Sequence, residues 1–134
     1  MESLIWRLRI SVLWLFYAVA MSAGMMLYLM GPGAIEDIMA GETEGMKIST
    51  GLLMFMALFM LIPLIMAFLS LILKYSANRW ANFILGIIFA VFDLVDVIGQ
   101  LTKGETGPIL IGLSMIVVPA LIAWHAWKLP KEEA

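Results

Sequence analysis

Four stretches of about twenty residues carry almost nothing that water would solvate: 8–30, 51–73, 81–101 and 108–127. As an α-helix, each is long enough to cross the ~30 Å hydrocarbon core of a bilayer. Helices are the expected form, because backbone amides in lipid must find partners within their own segment. The expected fold is therefore all-α. It is an integral membrane four-helix up-down bundle, a single transmembrane domain over residues 1–134.

Composition agrees. The chain of 134 residues is 63% hydrophobic and 13% charged, and a soluble domain of that size has too little interior to hide so much apolar surface. Net charge is -2 and the eight Lys and Arg are scattered, which gives no footprint for nucleic acid. With no cysteine and one histidine, His125, disulfides, thiolate metal sites and a cage of histidines within one chain are excluded.

The first stretch follows Arg7 and Arg9 and contains Ala18-Val19-Ala20, features shared with a cleaved signal. Its apolar run continues about ten residues further, too long for a signal core, so an uncleaved first helix is expected. Four spans place both ends of the chain on one side. Arg7, Arg9, Lys74, Arg79, Lys128 and Lys131 then lie together, with Lys47 and Lys103 opposite. That bias predicts both termini in the cytoplasm and the plasma membrane as the setting. Trp6, Trp80, Trp124 and Trp127 fall near the inner boundary, where an aromatic belt belongs.

The longest connection, "GPGAIEDIMAGETEGMKIST", suggests a short interfacial helix in the first extracytoplasmic loop. Pro32 would open it, Glu36 and Asp37 suit its first turn, and Gly41 would close it. An acidic lid or cation funnel is the alternative reading. The connections "KYSANR" and "TKGETG" are tight, so the second, third and fourth spans are expected to be sequential antiparallel neighbours.

The third span poses the functional question. Asn82, Gly86, Phe89, Asp93, Asp96 and Gln100 recur at steps of four and three, forming one stripe of a helix. The stripe should turn inward, because a carboxylate facing lipid costs at least a few kcal/mol. Gly86 and Ala90 permit close approach of a neighbouring helix. At 1.5 Å per residue Asp93 lies roughly 12 Å from the outer end and Asp96 about 7–8 Å. Ser22 and Met25, Met56 and Phe59, and Ser114 and Ile116 are at that level on the other spans; Tyr17 and Tyr28 could offer hydroxyls. His125 is near the other end, which argues against an Asp–His proton pair. Two carboxylates one turn apart in a low dielectric are not expected to ionise together. Candidate ligand- or ion-binding residues are Asp93, Asp96, Gln100, Ser22, Tyr28 and Ser114. The alternatives are hydrogen-bonding glue between helices, a proton or cation site, or a polar cavity for a small ligand or lipid headgroup.

Other features have plainer explanations. The pairs Met21–Met25, Met26–Met30 and Met56–Met60 resemble thioether pairs of copper(I) pores, but methionine is also an adaptable filler of apolar interfaces. Pro63 and Pro119 fall inside the second and fourth spans, where they shape packing. No nucleophile–base pair, phosphate loop or metal-ligand spacing stands out.

The stretches "IMAGETEGMKISTGLLM", "IPLIMAFLSLILKYSANRWANFILG" and "AWHAWKLP" together resemble a family of small prokaryotic four-helix membrane proteins of unknown function. More distantly, the plan is similar to the functionally mixed DoxX-like group. The most distinctive part is Leu73-Lys74-Tyr75 with Asn78-Arg79-Trp80-Ala81-Asn82. Here Asn78 and Asn82 could cap the turn and Arg79 could meet lipid phosphate. The resemblance implies the topology and no activity. Small multidrug transporters share size and helix count, but their first-helix glutamate has no counterpart, since Glu2 is the only acid before Glu36.

Two functions are expected to compete. One is a proton- or cation-responsive transport or small-ligand site at the aspartates. The other is a structural or partner-binding module in which they are glue. A membrane enzyme acting on a lipid or quinone is the weaker third. The lipid bilayer is the expected surrounding, self-association is anticipated, and no cofactor is indicated.

Overall fold

The computed structural model describes residues 2–43, 45–104 and 109–131. Five helices run along it: α1 Glu2–Leu29, α2 Ala34–Met39, α3 Thr50–Ile72, α4 Tyr75–Thr102 and α5 Ile109–Trp127. Two short strands, β1 Glu42–Thr43 and β2 Met46–Lys47, pair antiparallel between α2 and α3. Among the described residues, α1, α3, α4 and α5 are long and apolar enough to cross a membrane.

The helices extend beyond their apolar windows. Helix α1 opens at Glu2 rather than Leu8, and α4 at Tyr75 rather than Ala81. Hydropathy marks the lipid-soluble part of a helix, not its last hydrogen bond. Only Leu73 and Lys74 therefore join α3 to α4. The expected start of the last span at Pro108, and Glu105, Thr106 and Gly107 of the preceding connection, lie outside the described residues.

The short helix in the first long connection is present, with Glu36 and Asp37 in its first turn. Gly33 precedes it at φ 79° and Gly41 follows it at φ 83°, conformations that cost glycine least. The Gly41 amide donates to Ile38 O at 2.9 Å and so ends the helix. The strand pair was not foreseen, because two-residue strands carry no readable alternation. Ser49 caps α3, its hydroxyl accepting from the Leu52 amide at 3.1 Å.

The packing order differs from the expectation. Helix α1 packs against α3 and α5, and α4 against α5, whereas the consecutive α3 and α4 pack only sparsely. The close pair is α4–α5. A Cβ on Gly86 would lie 2.8 Å from Pro119 O and 2.9 Å from Ala123 N, so the two backbones touch there. Between α1 and α4 the space is filled by long side chains. Trp14, Tyr17 and Phe89 are fully or nearly fully buried, and they hold α4 away from α1 by a ring's width. Pro63 and Pro119 are buried inside α3 and α5.

One end of the bundle gathers four of the five tryptophans, with Arg7, Arg9, Arg79 and Lys128 among them. Trp6 lies 5.9 Å from Trp124 and 5.1 Å from His125, and Trp80 lies 6.2 Å from Trp127. Arg9 sits over Trp6 at 5.3 Å and Lys128 over Trp124 at 5.2 Å. Arg7, itself buried, donates to Leu73 O at 2.7 Å, which satisfies a carbonyl left open where α3 ends. The start of α1, the α3–α4 link and the end of α5 thus meet.

Candidate functional site

The buried face of α4 is Asn78, Asn82, Gly86, Phe89, Asp93 and Val97. It follows the expected stripe as far as Asp93 and then departs from it. A step of three turns a helix by about 300° and a step of four by about 400°, so periodicity alone allows either Asp96 or Val97 to come next. Helix α5 decides. A Cβ on Gly112 would lie 2.8 Å from Val97 Cγ2, so Val97 is the residue turned to α5 and Asp96 is exposed. The expectation that both carboxylates turn inward is corrected to one in and one out.

Asp93 is 7% exposed, and Tyr17 of α1 donates its hydroxyl to Asp93 Oδ2 at 2.6 Å. Asp96 accepts from Gln100 Nε2 at 2.9 Å, while Gln100 Oε1 is buried with no hydrogen-bond partner. Phe92 lies 4.9 Å from Phe59 of α3, and Asp96 is one turn further along that face of α4. The acid therefore stands beside the sparsely packed α3–α4 seam.

The remaining candidates are not brought to the carboxylates. Ser22 is exposed and bonds Ala18 O at 3.1 Å. Ser114 bonds Ile111 O at 2.7 Å. Tyr28 is 3.2 Å from Thr43 Oγ1, tying α1 to the strand pair. Each spends its hydroxyl elsewhere. The first two methionine pairs do not share an inward face either, since Met21 is buried and Met25, Met26 and Met30 are exposed. His125 is at the tryptophan-rich end, its Nδ1 2.7 Å from Leu121 O.

A second polar layer, nearer the start of α4, was legible only in fragments. Trp14 donates its indole N–H to Asn82 Oδ1 at 2.7 Å. Ser70 Oγ is 3.1 Å from the same oxygen and 2.6 Å from Met66 O. Asn82 Nδ2 donates to Asn78 O and Oδ1, and Asn78 Nδ2 donates to Ser70 O at 2.7 Å. The expected cap is not formed, since Lys74 precedes α4 with no side-chain cap bond; Asn78 instead ties the end of α3 through Ser70 O, and Asn82, Trp14 and Ser70 complete the cluster inside the bundle. Ser11, bonded to Ala67 O at 2.7 Å, adds a tie between α1 and α3. The signal available was Trp14, the only tryptophan away from the span ends, on a stripe with Arg7 and Ser11.

An aromatic layer separates the two polar ones. Phe89 is flanked by Trp14 at 5.5 Å, Tyr17 at 5.4 Å and Phe59 at 4.8 Å. The arrangement is a membrane-length bundle with a sealed amide cluster at one level and an acid–phenol pair at another.

The chain belongs to a family of unknown function (DUF6326). The match runs over residues 5–101, from the first turn of α1 to the end of α4, and leaves α5 outside it. No protein of curated function and no solved structure matches the chain.

Proposed function

We propose that this chain is a multi-pass plasma-membrane protein with both termini in the cytoplasm. It takes up a proton or small cation at the Asp93–Asp96 face of α4, reached from the outer side, and couples it to transport or to binding of a small ligand. The observation that carries this is the unequal treatment of two carboxylates one turn apart. Asp93 is buried against Tyr17, while Asp96 is exposed beside a loosely packed seam. A bare carboxylate at membrane depth costs several kcal/mol unless a counter-charge, a proton or water accompanies it. Asp96 is thus the accessible acid and Asp93 the sheltered one, with Gln100 and Tyr17 as their respective donors. A second copy covering the exposed face of α4 would serve the same need, which supports self-association. The distant DoxX-like resemblance adds no activity to this reading.

A structural role is the second reading. Among the described residues no Cα of α1 lies within 8 Å of a Cα of α4, so Tyr17–Asp93, like Trp14–Asn82, links them through side chains. Substitution separates the two. In proteoliposomes holding a trapped pH dye, the site reading expects D93N and D96N to abolish the proton uptake shown by the unaltered protein after a pH step, with the fold retained. The glue reading expects both variants to behave like the parent, since Asn still bonds, and expects D93L to weaken the bundle.

A further inference from the structure

We infer that the tryptophan-rich end carries a binding site for one anionic phospholipid, formed by Arg79 and Lys128 beside an apolar trough between α4 and α5. This site is separate from the acidic face. Arg79 is half-buried, with its guanidinium 4.6 Å from the Trp127 ring and 5.7 Å from the Trp80 ring. Its Nε is buried with no hydrogen-bond partner. The two indole faces hold the guanidinium without accepting from its N–H groups, which leaves donors for an oxyanion. The same Trp127 forms, with Trp124, Phe83 and Ala123, an apolar trough of about 310 Å³. Lys128 Nζ lies over Trp124, another lining residue, at 5.2 Å. Cations thus flank a trough whose lining is apolar. A free phosphate would leave that lining unused; an acyl chain fills it while its phosphate reaches Arg79. The volume is at the low end for ligand sites and fits one chain segment, not a whole lipid. The stretch that carries Arg79 is free of acid, since the sequence holds no Asp or Glu between Lys47 and Asp93, while Glu2, Glu132 and Glu133 lie near the other basic residues in sequence; anionic lipids gather at basic membrane-boundary sites.

The test uses the full chain in nanodiscs of equal phosphatidylglycerol and phosphatidylcholine, with retained lipid counted by native mass spectrometry. The expected result is one phosphatidylglycerol held about fivefold over phosphatidylcholine. R79Q should reduce that preference to parity. R9Q, which removes the cation over Trp6 at the same end, should preserve it. Where R79Q does not assemble, R79K is the second variant, and a preference below the parent's is expected because lysine lacks the planar fork. The inference is overturned by no preference in the unaltered protein, by a preference that R79Q (or R79K in its place) leaves intact, or by equal losses in R9Q and the Arg79 variant. Displacement of the lipid by inorganic phosphate alone would also overturn it.

Discussion

The tyrosine–aspartate pair is the point at which one side chain sets the behaviour of the core. Lipid gives helices no hydrophobic reason to associate, so packing and interhelical hydrogen bonds must hold them. Removing the Tyr17 hydroxyl leaves a sheltered carboxylate oxygen without its donor. Y17F should therefore cost about 1–3 kcal/mol. D93N should cost less, and the two together less than their sum, with a coupling of about 0.5–2 kcal/mol. Unfolding in mixed micelles of increasing SDS content, run as a double-mutant cycle, measures this; additive losses would show that the bond contributes nothing. Asp93 and the hydroxyl of Tyr17 were both legible in the sequence. Ser22, Tyr28 and Ser114 misled because counting along a helix gives depth but not azimuth. Asp96 misled because steps of three and four are equally helical, and only the Val97–Gly112 contact distinguishes them.

At the scale of elements, the backbones of α4 and α5 come into contact at Gly86. The atoms that a Cβ would meet there are Pro119 O and Ala123 N, which belong to backbone and cannot swing aside. G86A is thus expected to destabilise by about 1–3 kcal/mol. Gly99, on the same helix with nothing within 4 Å, is the control. Its alanine variant should be neutral or stabilising by up to about 1 kcal/mol. Thermal unfolding of both variants in one detergent checks the contrast, and equal shifts would refute the close contact. The four spans were readable because lipid demands length and apolarity together. Their true ends were not, since α1 and α4 run on into polar sequence where buried polar contacts such as those of Arg7 and Asn78, not hydropathy, decide. The packing order was hidden for a related reason. A two-residue link implies adjacency, but the bulk of Trp14 and Tyr17 decides which backbones meet.

For the whole molecule, the gathering of Trp6, Trp80, Trp124 and Trp127 with the cations at one end was visible from the sequence, because an interface selects amphipathic rings wherever a span ends. The proposed orientation has a direct check, helped by the absence of cysteine. K47C and K103C should react with a membrane-impermeant thiol reagent on intact cells, and K74C and K131C only after permeabilisation. The reverse pattern would invert the topology, and a mixed pattern would refute shared sidedness. Asn82 and Asp93 are eleven positions apart on one helix face, about 16 Å, with the greasy plug of Phe89, Trp14, Tyr17 and Phe59 between them. Among the described residues, these rings stand between the amide cluster at Asn82 and the acid–phenol pair at Asp93. On the proposed reading, a proton taken up at Asp93 therefore returns to the side it came from unless Phe89 swings away.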